Sequence, residues 1–239
     1  MAEVQYAPGT TIFVPSDANG WEAMTVDSCT GFGEAATIRA HQTAASARGG
    51  SSVRVLRQEE VSRIQECDVL ALEGAPDMVK FAKLSEATLL HNLRVRYARD
   101  DIYTRAGSIL ISVNPFKRLS IYTPERMAQC KDADAKALQD LEPHVYALAE
   151  AAFRGILVEQ RQQSILISGE SGAGKTEAVK ACLQARLSVS HLVARASALR
   201  CMQVLITTPS PLPTVFGRSF ERGDRHRSGA CQVRVEACI

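Results

Sequence analysis

The chain has 239 residues, 46% hydrophobic and 23% charged, which is enough apolar sequence for a packed core in one large domain or in a medium domain beside a small one. A net charge of +2 supplies no global attraction to nucleic acid or to a membrane surface, and no run approaches the roughly 18 apolar residues of a membrane span. Seven cysteines without a CxxC or Cys/His ligand spacing suit free thiols in a reducing compartment, and the N-terminal stretch lacks the basic-then-apolar pattern of a secretory signal, so a cytoplasmic location is expected.

Residues 1–60 read as a small all-β domain. GTTIFVP, WEAMTV, EAATIRA and SSVRVLR are short β-branched runs separated by turn material, which suits a small barrel or a pair of hairpins. Trp21 is expected to pack within it, and Arg54 and Arg57 to be solvated. Residues 61–80 are expected to be a connector broken at Gly74-Ala75-Pro76-Asp77. LSEATLLHNLRVRYARDD then predicts a helix capped by Ser85, with Leu89, Leu90, Leu93 and Tyr97 at helical spacing. His91 in that helix is expected at the surface or in an interface, with no partner spaced to join it in metal binding.

GSILISV predicts a buried strand ended by Asn114-Pro115, and Thr123-Pro124-Glu125 a helix start with Thr123 as cap. The clearest helix follows Pro143, where Val145, Leu148, Ala149, Ala152, Phe153 and Ile156 recur at intervals of three and four and predict a buried face. A second strand, a glycine-rich loop and the helix TEAVKACLQARL complete an α/β pattern with crossover helices over residues 81–187. From 188 to 239 the character changes: lysine is absent after Lys180, arginine dominates, and PSPLP reads as linker, so a poorly ordered tail is expected.

The pentapeptide SILIS occurs twice, at Ser108–Ser112 and Ser164–Ser168. Either it is an internal repeat, or two core strands deliver two different loops to one site. Similarity ends within a residue of each copy, which favours the second reading. Strands buried on both faces are apolar runs of this kind, and α/β sheets bind ligands beyond the carboxyl ends of their strands.

The second copy leads into Gly169-Glu170-Ser171-Gly172-Ala173-Gly174-Lys175-Thr176, which fits G-x-x-x-x-G-K-[ST]. Glycines allow backbone N–H groups to turn inward around phosphate oxygens. Lys175 reaches the β- and γ-phosphates, Thr176 ligates Mg²⁺, and the helix that follows adds the positive end of its dipole. The expected ligand is a nucleoside triphosphate with Mg²⁺. The loop after the first copy, Asn114 to Tyr122, reads by itself as a strand end with a proline stop.

Together, IYTRAGSILISVNPFKRLSIYTPERM, EPHVYALAEAAFRGIL and QSILISGESGAGKTEAVK resemble the myosin motor head over residues 77–184. The resemblance implies an α/β P-loop NTPase fragment, with ATP and Mg²⁺ as ligands. Asn114, Pro115, Phe116, Lys117 and Tyr122 would border the adenine, and Gly169 through Thr176 would hold the triphosphate, with Thr176 on the metal. The run GTTIFVP and the pair Gly20-Trp21 are similar, more loosely, to the Src-homology-3-like barrel that precedes many myosin heads. Actin filaments as partner and a cytoskeletal location are implied for the intact family.

The family's first switch segment (N-x-x-S-S-R-F-G-K) and second (D-x-x-G-F-E) are not found in this sequence; Val215 to Phe220 only echoes the first. Phosphoryl transfer needs the metal held from two sides and the attacking water positioned. Hydrolysis and actin coupling by this chain alone are therefore expected to be negligible, the sheet incomplete with unpaired strand edges, and the sequence a truncated reading of a longer one. The alternatives are a non-enzymatic interaction protein with a relict nucleotide loop, and another P-loop enzyme such as a small kinase. The kinase would need a metal-binding Asp after a later strand, and none of Glu177, Glu221, Asp224 and Glu236 follows a convincing one.

Overall fold

A computed structural model describes residues 6–17, 19–30, 37–42, 53–56, 58–159, 162–187, 202–207 and 230–237. The chain divides into two compact units, Met1–Ala75 with Lys80–Val95, and Pro76–Val79 with Arg96–Ile239.

The first unit is built on a five-stranded antiparallel sheet. Strands β1 (Thr11–Ser16), β2 (Gly20–Thr30), β3 (Thr37–Gln42), β4 (Val53–Leu56) and β5 (Gln65–Glu66) are ordered β4-β3-β2-β1-β5. Alternation of side chains along β1 explains its threefold apolar run. Ile12 and Val14 join Met24, Val26, Ile38, Ala40 and Leu56 in one core cluster, while Phe13 faces the other way against Ala23 and Ala87. Trp21 packs against that second cluster, as expected. Arg54 is half-buried and ion-paired with Glu60, which departs from the solvated position expected for it, and Arg57 lies outside the described residues.

The segment expected to be a connector is structured. It holds helix α1 (Gln58–Val61), strand β5, helix α2 (Val69–Glu73) and a 3-10 turn at Met78–Lys80. Buried Asp68 organises it. Its carboxylate accepts the Leu70 N–H at 2.9 Å as the cap of α2, and also the N–H groups of Ala82 at 2.7 Å and Lys83 at 3.2 Å. Three donors on one carboxylate offset the cost of removing it from water. Gly74 ends α2 in the left-handed region at φ 81°, where glycine carries no Cβ penalty.

Helix α3 (Glu86–Ala98) begins as predicted, with the Ser85 hydroxyl accepting the Thr88 N–H at 3.1 Å. His91, however, is buried rather than at the surface, with its ring 5.2 Å from that of Phe13. Leu90 and Leu93 carry the apolar face of the helix, and the intervening His91 and Asn92 are buried with them, where Ala87 of the helix clusters with Phe13 of β1 and Ala23 of β2. Burial, aided by the Arg94 charge, pushes the His91 pKa down to about 4.

The second unit is a mixed sheet with helices. Strands β6 (Tyr103–Ala106), β7 (Ile109–Val113), β8 (Gln163–Gly169), β9 (Met202–Thr207) and β10 (Ala230–Ala237) are ordered β6-β7-β10-β8-β9. Only β8 and β9 are parallel neighbours. Strand β10 is antiparallel to both β7 and β8, so those two are parallel to each other with a third strand between them. Helices α4 (Pro124–Asp132), α5 (Ala135–Asp140) and α6 (Val145–Glu159) form the crossover from β7 to β8, and α7 (Lys175–Leu187) follows β8.

Two expectations are corrected here. Neither SILIS strand is a sheet edge, because β7 lies between β6 and β10 and β8 between β10 and β9. Residues 202–207 and 230–237 are strands of that sheet and not a poorly ordered tail; their β-branched runs are stabilised by ladders to distant strands, a signal that local composition does not carry. The echo at Val215 to Phe220 lies outside the described residues.

The core of this unit joins Leu110, Ile165 and Ile167 with Val145, Ala149, Ala152, Phe153 and Ile156 of α6 and with Ala178, Ala181 and Cys182 of α7. The α6 face is the one its periodicity predicts. Gly155 permits that helix to close on β8, since a Cβ there would sit 2.9 Å from Gln163 Nε2. Thr123 caps α4 as predicted, accepting the Arg126 N–H at 3.2 Å, with Pro124 in its first turn.

Candidate nucleotide site

The two SILIS copies are not equivalent in the sheet. Cys231 of β10 is the register partner of Ser112 on one side and of Gly169 on the other, and Val233 is the partner of Leu110 and of Ile167. A residue-for-residue repeat would align Leu110 with Leu166. The observed register is displaced by one, and a one-residue slip moves every side chain to the opposite face. In the first copy Leu110 is buried and Ile109 and Ile111 are half-buried; in the second Ile165 and Ile167 are buried and Leu166 is half-buried. Five identical residues are thus used in opposite senses, which excludes a structural duplication and supports two strands that deliver different loops at the same end of one sheet.

The loop after β8 turns at Gly172 (φ 82°) and Gly174 (φ 89°), both in the region that favours glycine, before α7 starts at Lys175. Its middle is tied by the Ala173 N–H to the Glu170 carbonyl at 3.2 Å, and the first helical bond runs from the Ala178 N–H to the Gly174 carbonyl at 3.0 Å. Lys175 Nζ donates to the carbonyl oxygens of Gly169 and Glu170, each at 2.7 Å. These partners are neutral dipoles, so the ammonium charge is solvated but not neutralised. Together with the N-terminus of a 13-residue helix, the loop concentrates positive potential where its backbone turns. Ser171, Gly172 and Thr176 are exposed, and Ala173 is buried against the core as the loop's anchor.

The loop after β7 meets this one. The Asn114 side-chain amide donates to the Gly172 carbonyl at 2.7 Å, and its Oδ1 accepts the Phe116 N–H at 2.9 Å. Phe116 has φ 48° and is exposed. Lys117 ion-pairs with Asp100 at 2.6 Å, and the Tyr97 hydroxyl donates to the Asn114 carbonyl at 3.4 Å. Tyr122 shares a 2.8 Å hydroxyl–hydroxyl bond with Tyr103, and its ring packs edge-on to His144 and Tyr146. Buried His144 has its pKa pushed down to about 4, first by burial and then by the Arg126 charge, so its imidazole is neutral at physiological pH.

Among the sequence-predicted residues, Asn114 and Gly172 are therefore in direct contact and Lys175 closes back on its own loop, whereas Lys117 and Tyr122 are held by Asp100 and Tyr103. Sequence reasoning missed Asp100, Tyr103 and His144 as supports of the first loop. Asp100 adopts φ 67° directly after the helix, a left-handed stop that the pair Asp100-Asp101 could have signalled. Among the described residues no three His, Cys, Asp or Glu side chains converge as metal ligands, and no helix is long and apolar enough to cross a membrane.

Comparison with known proteins bears on this geometry. Residues 75–219, more than half of the chain, match the family model described as myosin head (motor domain). The match continues beyond residue 188, so the segment expected to be foreign to the resemblance lies partly within it. The chain is 51% identical over 111 residues to the high molecular weight form of myosin-1 from Acanthamoeba castellanii, which covers 46% of this chain and 7% of that protein. It is 49% identical over 113 residues to myosin-4 of Arabidopsis thaliana, covering 47% of this chain and 10% of the relative. It is 37% identical over 190 residues to myosin-9 of Arabidopsis thaliana, covering 78% and 12%. The chain therefore spans about a tenth of the length of these relatives.

Proposed function

The chain belongs to the myosin head (motor domain) family, and from that premise we propose that it binds MgATP between the loops that follow its two central strands. Gly169 through Thr176 hold the triphosphate in this reading. Lys175 exchanges its two carbonyl partners for phosphate oxygens, and the loop amides and the start of α7 receive the remaining charge. Asn114, Pro115, Phe116, Lys117 and Tyr122 border the adenine. The observation that carries the reading is the 2.7 Å bond from Asn114 to Gly172, which joins the two loops at one end of the sheet beside an un-neutralised lysine.

The residues fit a magnesium ion in one respect. Thr176 lies exposed in the first turn of α7, next to the lysine that would meet the same phosphates. Bound there, Mg²⁺ supplies charge neutralisation of the triphosphate; Thr176 supplies one ligand, and Lys175 orients the terminal phosphates. Hydrolysis coupled to force on actin filaments is the activity to which this site contributes, with a P-loop NTPase fold as its frame and the first unit as an accessory Src-homology-3-like barrel. The location that follows is cytoskeletal.

Equilibrium titration with a fluorescent ATP analogue tests the site. Replacement of Lys175 by alanine removes a charge-assisted contact and is expected to weaken binding about ten- to a hundredfold. Equal affinity of the two proteins would count against any working nucleotide site in this loop.

A further inference from the structure

Asn114 of the first loop reaches the second through its side-chain amide, and what it grips is the loop's centre. The peptide unit between Gly172 and Ala173 is held at both ends. Its carbonyl accepts from Asn114 Nδ2 at 2.7 Å, and its N–H donates to the Glu170 carbonyl at 3.2 Å. Because a peptide unit is planar, fixing its oxygen and its hydrogen fixes the orientation of the whole plane. That plane lies between the two left-handed glycines, Gly172 and Gly174, the positions at which the loop has most conformational freedom to lose.

Asn114 is itself held. Its Oδ1 accepts the Phe116 N–H, closing a turn over Pro115, and its backbone carbonyl accepts from Tyr97. A Cβ built on Gly174 would lie 3.7 Å from Asn114 Cβ, so the side chain also borders the second glycine. Its acceptor and one of its two amide hydrogens are thereby committed within the protein before any ligand arrives.

We propose that Asn114 is a positioning residue for the phosphate loop, a latch that fixes the Gly172–Ala173 peptide and so keeps the loop amides in the geometry a polyphosphate requires. This rests on the nucleotide-site reading above and revises the part given there to Asn114: its main effect is on the phosphates and not on the base. An anion site whose dipoles are already oriented loses less entropy when the ligand binds, and that saving is the same for a ligand with or without an adenine.

The experiment compares ATP with inorganic tripolyphosphate, both with Mg²⁺, on the full chain and on Asn114→Ala. The latch predicts that both ligands weaken by the same factor, about two- to tenfold for one hydrogen bond with its pre-organisation. It also predicts faster amide exchange over residues 170–174 in the ligand-free protein, in Asn114→Ala and equally in Asn114→Asp, which keeps the acceptor for Phe116 and loses the donor to Gly172. A loss for ATP with tripolyphosphate unchanged would show that Asn114 reads the base and would overturn the proposal. Unchanged exchange in both variants would overturn it as well. If the wild-type chain binds neither ligand, the nucleotide reading fails, and the exchange result alone decides the latch.

Discussion

Leu110 and Leu166 occupy the same place in identical pentapeptides, and the displaced register predicts that they differ sharply in energetic weight. Leu110 is 3% exposed and belongs to the cluster formed with α6 and α7, whereas Leu166 is half-buried on the opposite face. Truncating a fully buried leucine to alanine costs about 2–5 kcal/mol through lost transfer energy and the cavity left behind. A half-buried leucine loses roughly half the transfer term and leaves no closed cavity, which gives about 1 kcal/mol. For a urea dependence of about 2 kcal/mol per molar, Leu110→Ala lowers the midpoint by about 1.5 M and Leu166→Ala by about 0.5 M. Near-ultraviolet circular dichroism of tyrosine reads mainly this unit, because four of the five tyrosines, Tyr97, Tyr103, Tyr122 and Tyr146, lie within it, while Tyr6 and Trp21 lie in the other. The reciprocal pair, Ile111→Ala and Ile167→Ala, should reverse the order, with the second copy now the more sensitive. Equal midpoints for Leu110→Ala and Leu166→Ala would refute the one-residue displacement and restore the repeat.

Two further outcomes are expected. His91 and His144 have folded pKa values of about 4 against about 6.5 in the unfolded chain, so the unfolded state binds more protons between those values; their neutral burial stabilises fully above pH 6.5, and up to about 3 kcal/mol for each is lost as pH falls toward 4. Urea midpoints measured from pH 7 to pH 4.5 should fall in that window, and His144→Phe should flatten the decline of the tyrosine signal; a midpoint independent of pH would sink the assignment. Thr123→Ala removes the acceptor for the Arg126 N–H at the start of α4 and should cost about 1 kcal/mol in the same assay, with Thr123→Ser largely preserving stability.

Much of this arrangement was legible in the sequence because it rests on local chemistry. The cap at Thr123, the periodic face from Val145 to Ile156 and the glycine-rich turn before Lys175 each follow from residues within one or two turns of chain. What was illegible depends on partners remote in sequence. Strand Tyr103–Ala106 is short and folds as a hairpin arm with β7, across Gly107 at φ 64°. Strands Met202–Thr207 and Ala230–Ala237 read as tail sequence because their ladders run to residues 39 and more positions away. His91 read as a surface residue because a polar type among leucines looks like the outer face of a helix, and only its packing against Phe13 of β1 reveals the enclosure. The meeting of Asn114 with Gly172 spans 58 residues and has no local signature.

The wedge of β10 between β7 and β8 has a temporal meaning. The two loop-bearing strands are not ladder neighbours; they stand two ladder spacings apart, about 9.6 Å, and the strand that sets the gap follows both in the chain. During synthesis, β7, its crossover helices and β8 all emerge before β10. Two parallel strands brought together early would have to separate again to admit an antiparallel third. The spacing that Asn114 spans to reach Gly172 is therefore set by residues 230–237, and the geometry of the two loops depends on ladders that bridge 62 and more positions of sequence, with the slow, long-range character such contacts impose.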